Sequence, residues 1–250
     1  MEITSINNEL VKETVKLQQK KHRDLEKKFL LEGYKAIEEA YQIGLEILQV
    51  FVLKEKASKY SFAKKQLIET NEQVLKKIST TDSAPEAVAV ACQKNFELSM
   101  LQKAKKVLLL EEIKDVGNLG TILRSATAFN VDAVILYGNC TDIYNPKCVR
   151  ASVGNLCKIP VFNMTTIEEL KKYFSKYERI ATLPRATNLL KNFKSTPPCL
   201  IMFGSEANGL SLELIDFSTT SVKIEMNSTV ESLNLSISCG IILYNINWIY

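Results

Sequence analysis

Histidine is nearly missing from these 250 residues: there is one, His22, in a lysine-rich stretch near the N-terminus. A Ser-His-Asp triad, a Cys-His pair or a His-ligated zinc centre in the second half of the chain is therefore excluded. The six cysteines, at 92, 140, 148, 157, 199 and 239, form no C-x-x-C pair and stand mostly among apolar neighbours, so they read as reduced, buried small hydrophobes in a cytoplasmic setting. No apolar run reaches membrane-spanning length, and residues 1–9 have neither the basic flank nor the apolar core of a signal peptide. No membrane association is expected. G-x-G-x-x-G does not follow the first strand of the second half, which argues against a conventional dinucleotide site. Gly204 and Gly209 have phosphate-loop spacing, but Leu210-Ser211 stands where Lys-Ser/Thr would grip phosphate and magnesium. What remains is chemistry that needs neither histidine nor metal.

Charge is distributed unevenly. Residues 1–106 carry 19 Lys/Arg against 15 Asp/Glu, and residues 107–250 carry 13 of each, so the whole net charge of +4 lies in the first part. That favours an anionic partner docking there. The cationic set Lys12, Lys16, Lys20, Lys21, Arg23, Lys27 and Lys28 is interleaved with Glu9, Glu13, Asp24 and Glu26. A salt-bridged surface helix and a phosphate-binding surface both fit this pattern.

In chain order, the spacing predicts a helix over 8 to about 33, a helix over 34–43 closed by Gly44, and a strand over 47–53. A helix over 62–71 and a strand over 87–92 follow, which together make a small α/β layer. Residues 93–106 turn polar and then basic. Three parts follow from this: a domain over 1–95, a linker over 96–106 and a second domain over 107–250. In the second domain, the continuous run 107–110 reads as a central parallel strand. The next helix has Leu119, Ile122, Leu123, Ala126 and Phe129 on its apolar face and Arg124 nearly opposite. Strands at 133–137, 158–162, 180–183 and 199–203 and a helix at 167–177 call for a parallel sheet covered on both faces. From Asn234 apolar residues return at helical spacing, and Ser232 or Asn234 can cap that helix.

Three stretches in this order are informative together: Asn118-Leu119-Gly120-Thr121-Ile122-Leu123-Arg124, then Gly204-Ser205-Glu206-Ala207-Asn208-Gly209-Leu210, then the run from Ile224 through Ser232-Leu233-Asn234. They resemble the three motifs of the SpoU/TrmH branch of the SPOUT-class RNA 2'-O-ribose methyltransferases. Ile3-Thr4-Ser5, Lys21, Arg23 and Phe29-Leu30-Leu31-Glu32-Gly33 more loosely resemble that family's N-terminal substrate-binding domain. The resemblance implies an L30e-like first domain and a SPOUT parallel-sheet domain with a C-terminal trefoil knot. It also implies S-adenosylmethionine as cofactor, with Leu183, Gly204, Gly209, Ile224, Met226 and Leu233 around it. Gly204, lacking a Cβ, would let the main chain approach a flat ligand. Arg124 becomes the catalytic candidate with Asn118, Glu206, Ser232 and Asn234. A guanidinium keeps its proton to about pH 12 and above, so binding phosphate and stabilising the developing alkoxide is the simpler role for Arg124, acting as a base the more demanding one. The two amides are suited to fixing Arg124 and the ribose, and Glu206 to pairing with Arg124.

Lys21, Arg23 and Lys27 are the implied RNA contacts. Val116, Ala207 and Glu225 depart from frequent family residues, and Ala207 would be strained at positive φ. The expected activity is 2'-O-methylation of structured RNA, ribosomal RNA favoured over transfer RNA. The alternatives are a non-catalytic assembly factor that keeps the fold and an enzyme acting on another nucleotide substrate. A homodimer is expected because the last helix offers Ile241, Ile242, Leu243, Tyr244, Ile246, Trp248, Ile249 and Tyr250, more apolar surface than one face can use.

Overall fold

A computed structural model describes residues 1–246, and the chain divides into two compact units: residues 1–95 with 142–158, and residues 96–141 with 159 onward. In the first unit, helix α1 (Glu9–Lys16) starts where the Asn8 side chain accepts the Leu10 amide, one of the orphan donors of a first turn. After Leu17 it gives way to helix α2 (Lys20–Glu26). Lys27 ends α2 at φ 54°, and strand β1 (Lys28–Glu32) follows at once. The single helix expected to about residue 33 is thus corrected. Phe29, Leu30 and Leu31 are buried in succession, which a strand covered on both faces accommodates and an amphipathic helix does not.

Helix α3 (Tyr34–Gln42) closes at Gly44, φ 70°, and strand β2 (Ile47–Leu53) follows. Residues Lys54–Gln66 form 3-10 turns, and strand β3 (Leu67–Thr70) replaces the helix placed at 62–71. Tyr60 and Ala63, both buried, leave helical dihedrals at φ -103° and -107°, so the segment is a string of short turns and not one helix. Helix α4 (Glu72–Ile78), capped by Asn71, and strand β4 (Ala87–Cys92) complete a sheet ordered β1-β4-β2-β3. β4 is antiparallel to both its neighbours, and β2 is parallel to β3. Val11, Leu17, Leu30, Phe51, Leu75 and Val88 belong to its core.

The stretch read as a linker is folded into the second unit. Leu98–Lys103 is a 3-10 turn that buries Leu101 in the core, and strand β5 (Lys106–Glu111) begins directly after it. Helix α5 (Val116–Ala128) and strand β6 (Ala133–Tyr137) follow. Helix α6 (Pro146–Ser152) packs with the first unit and was not foreseen, although Asn145-Pro146 is a helix-start pair. The second unit resumes with strand β7 (Val161–Met164), helix α7 (Ile167–Phe174), and strands β8 (Glu178–Thr182), β9 (Asn188–Leu189) and β10 (Cys199–Phe203). Helix α8 (Leu212–Phe217), strand β11 (Thr220–Lys223) and helix α9 (Leu235–Asn245) close it.

Its sheet is ordered β7-β6-β5-β10-β8-β11-β9, with every neighbouring pair parallel. β5, β6 and β10 are buried along their whole length, as central strands covered on both faces must be. Val107, Leu109, Ile135 and Met202 share a core with Leu170, Phe174 and Leu214, while Leu108, Leu110, Val134 and Ile201 are buried on the opposite side of the pleat. α5 and α9 pack on each other, and a Cβ at Gly240 would stand 4.0 Å from Ser125 Oγ.

Candidate active site

Because these strands run parallel, the C-terminal ends of β5, β10, β8 and β11, neighbours in that order, open on one edge. The crevice outside such ends is where open α/β sheets bind ligands. All three motif stretches leave from this edge: β5 leads through Asp115 into α5, β10 into residues 204–210, and β11 into residues 224–234 ahead of α9. Leu183 follows β8 there, its amide donating to the Val222 carbonyl at 3.0 Å.

Asn118 ties the stretches together. Its Nδ2 donates to Glu206 Oε1 at 3.1 Å, and its Oδ1 accepts from Asn234 Nδ2 at 3.0 Å. Asp115 caps α5 and accepts the Asn118 amide at 2.6 Å, which fixes where that side chain begins. Asn234 caps α9, its Oδ1 accepting the Ser236 amide at 2.9 Å and the Ile237 amide at 3.4 Å. With its oxygen held by the helix, Asn234 has its Nδ2 left for Asn118. Of the two capping candidates Asn234 serves, and Ser232 is exposed. Asp115 escaped the sequence reading as a site residue, although a short acid before a periodic helix is an N-cap signal.

The expected bonds to Arg124 do not form. Glu206 Oε1 is taken by Asn118, and the two amides bond each other. Six residues further along α5, Arg124 lies about 9 Å up the axis from Asn118 and about 120° around it. It is exposed, off the buried face of Leu119, Ile122, Leu123 and Ala126, and has no hydrogen-bond or ion-pair partner among the described residues.

Gly204 also has a different reason from the one expected. A Cβ there would stand 1.9 Å from the Gly209 carbonyl carbon and 2.0 Å from the Leu210 nitrogen. The loop folds back over the strand end, with Ser205 and Gly209 exchanging backbone bonds of 3.1 and 3.0 Å and Gly209 at φ 67° making the turn. This closure carries Glu206 to Asn118. Ala207 is not at positive φ, so its side chain brings no strain there, and Glu225 forms an exposed ion pair with Lys191 at 2.8 Å. A cleft of about 330 Å³ opens beside Glu206, bounded also by Glu112, Lys114 and Asp115.

Leu183, Ile224, Met226 and Leu233 are half-buried at this edge, and the Met226 and Leu233 amides enter no backbone hydrogen bond among the described residues. Apolar walls with free amides suit a flat heteroaromatic ring bearing acceptor nitrogens. Adenine is such a ring, so these residues fit S-adenosylmethionine.

In the first unit, Lys21 and Lys27 are exposed, but the phosphate role expected of Arg23 is corrected. Arg23 is 2% exposed: its Nε and Nη2 donate to Asp142 Oδ2 at 3.0 and 2.7 Å, and its Nη1 to the Leu17 and Gln18 carbonyls at 2.9 and 2.8 Å. With four of its five N–H groups engaged and the side chain desolvated, this guanidinium is not presented to RNA. All six cysteines are free thiols, and burial pushes Cys148, Cys157 and Cys199 up to about 12.

Comparison with known proteins gives the class: a parallel sheet with three loops bound together at its C-terminal edge matches the structures of SPOUT-class methyltransferases. Residues 105–244 match the SpoU rRNA Methylase family, and residues 8–90 match the MRM3-like substrate binding domain. The chain belongs to the SpoU rRNA methylase family. It is similar to the uncharacterized tRNA/rRNA methyltransferase slr1673 of Synechocystis, 33% identical over 97% of this chain and 92% of that one. It is also similar to the 23S rRNA (guanosine(2553)-2'-O)-methyltransferase RlmP of Bacillus subtilis, 28% identical over 98% of each chain. Among solved structures, the AdoMet-bound rRNA methyltransferase of Sinorhizobium meliloti superposes with a TM-score of 0.87 at 28% identity, covering 98% of this chain and 96% of that one.

Proposed function

We propose that this enzyme, an S-adenosylmethionine-dependent RNA ribose 2'-O-methyltransferase, acts on ribosomal RNA with Arg124 as its catalytic residue. The observation that carries the site assignment is the Glu206–Asn118–Asn234 chain, which brings one side chain from each motif to one place. S-adenosylmethionine, when bound, supplies a methyl group already activated on a sulfonium. Leu183, Ile224, Met226 and Leu233, with the 204–209 loop, would hold it. Methyl transfer would make an O–C bond, break the C–S bond to leave a thioether and release the hydroxyl proton to water, so the protein must align the hydroxyl and favour its developing negative charge. Arg124 binds the phosphate beside the target ribose and stabilises that oxygen, its donors being free for the purpose. Asn118, Glu206, Asn234 and Ser232 position the ribose, and Lys21 and Lys27 meet phosphates further along the RNA. A purely structural role in assembly is not favoured, since every polar side chain of the three motifs is present.

Two copies pair through α9. Its buried residues are Cys239, Ile242 and Leu243, while Ile237, Ile241 and Tyr244 make an exposed apolar stripe, Tyr244 at 74% exposure. Trp248, Ile249 and Tyr250, also counted toward this surface, lie outside the described residues. The knot is part of the same proposal. What supports it is that β10 lies between β5 and β8 while β11 lies beyond β8, so the chain crosses that strand in passing from one to the other. The cytoplasm, where free thiols persist, is the proposed location.

Mapping 2'-O-methylation across total RNA from cells with and without the protein should show a ribosomal site lost. An unchanged ribosomal pattern would overturn the substrate. Saturating S-adenosylmethionine should raise the unfolding temperature, and sedimentation should give twice the 28.2 kDa chain mass; a monomer would refute the pairing.

A further inference from the structure

One surface of the first unit combines aromatic rings with free positive charge. Residues 54–66 hold five lysines against one glutamate. Tyr60 and Ala63 are buried where these turns kink, while Lys56, Lys59, Lys64 and Lys65 are exposed and Phe62 is half-buried among them, which leaves a lysine-bearing edge. Phe62 carries this edge onto α3, its ring centroid 5.2 Å from that of Tyr41 and 6.1 Å from that of Tyr34. Part of the cluster is committed internally. The Tyr34 hydroxyl donates to Glu38 at 2.6 Å, the Tyr60 hydroxyl to Glu86 at 3.0 Å, and Lys59 pairs with Glu86 at 2.8 Å. Left over are Tyr41, 41% exposed, and Lys64 and Lys65, both exposed and without an ion-pair or hydrogen-bond partner among the described residues.

A ring braced from behind by another ring loses little freedom when a flat ligand stacks on it. Lysines within three residues of Phe62 put cationic charge beside that ring. Stacking calls for a base whose face is open, which an RNA duplex does not offer. An acidic protein would use the lysines and leave the rings idle.

We propose that this edge binds a single-stranded segment of the substrate RNA, a base stacking on Tyr41 with Phe62 behind it and phosphates meeting Lys64 and Lys65. The proposal rests on the enzyme's substrate being RNA. It is tested with the full chain by fluorescence anisotropy, using labelled oligoadenylate and oligouridylate of about ten nucleotides. Tyr41→Ala should weaken oligoadenylate binding about fivefold or more at unchanged salt dependence, and Tyr41→Phe should bind like the unaltered chain. Lys64→Ala combined with Lys65→Ala should flatten the log–log salt slope by about 1.4. Ultraviolet crosslinking of oligouridylate should label the peptide containing Tyr41 or Phe62. Unchanged affinity in Tyr41→Ala, crosslinks confined to other segments, or equal competition by polyglutamate would overturn the proposal, the last by pointing to an acidic protein partner. Methylation by Arg124→Ala is measured separately, so failure of the catalytic assignment leaves the Tyr41→Ala binding readout untouched.

Discussion

The buried Arg23–Asp142 pair offers a severe test of how the first unit is held together. Asp142 is 119 residues from Arg23 in sequence and 12% exposed, and it accepts two of the guanidinium's four hydrogen bonds while its other oxygen takes the Tyr144 amide at 2.9 Å. Asp142→Ala leaves a cation in place with only the Leu17 and Gln18 carbonyls for company. Removing one partner of a buried pair typically costs about 3–5 kcal/mol. Against a typical domain stability of about 5–15 kcal/mol, that is about a fifth or more of the whole. Asp142→Asn, which keeps an acceptor but not the charge, should cost less. The double replacement Arg23→Met with Asp142→Leu removes both charges and keeps most of the volume, so it should be more stable than Asp142→Ala alone. Urea unfolding followed by circular dichroism measures all three, provided the m-value is unchanged. If Asp142→Ala falls within about 0.5 kcal/mol of the unaltered protein, as surface changes do, the buried pair is not what holds this part of the fold. Weaker RNA binding in Arg23→Ala at full stability would restore the phosphate-contact reading instead.

Arg124→Ala should lower single-turnover methylation by about 10²- to 10³-fold at nearly unchanged cofactor affinity, and Arg124→Lys should rescue little, because a point charge does not reproduce a planar fork. A wild-type rate with RNA and cofactor saturating would remove Arg124 from the mechanism. Asn118→Ala cuts the links to both Glu206 and Asn234, so a loss of about 10²-fold in rate is expected from misplacement alone; full activity would show that the chain of amides is incidental. Gly204→Ala puts a methyl group into backbone atoms that cannot step aside, and a destabilisation of about 1–3 kcal/mol with loss of cofactor binding should follow; calorimetry that finds both intact would refute the loop geometry. Burial raises the Cys199 thiol to about 12, so the folded chain keeps a proton that the unfolded chain loses above about 9. Stability from this group is whole below about pH 9 and is lost as pH rises to about 12, and Cys199→Ala should flatten that alkaline decline in equilibrium unfolding.

Local pattern alone determined much of this protein. The apolar runs that become β5, β6 and β10, the face of α5 with Arg124 turned outward, the start of α9 with Ser232 or Asn234 as its cap and the order of the three motifs are all readable from spacing, because periodicity and capping depend on neighbours within a turn or two. What the chain does with its polar groups was decided only by folding. Arg23 sits in a basic run that looks like an RNA surface, yet a carboxylate 119 residues away draws it inside. Phe29, Leu30 and Leu31 could join a helix until β4 arrives to pair with them. Gly204 looks like a ligand-approach glycine until the 205–209 turn is seen to occupy the space its Cβ would need. Asn118 could have served Arg124, but the way α5, the 205–209 turn and α9 start together gives it Glu206 and Asn234. Burial, partnering and clash are set by segments distant along the chain, and no local spacing records which of them will meet.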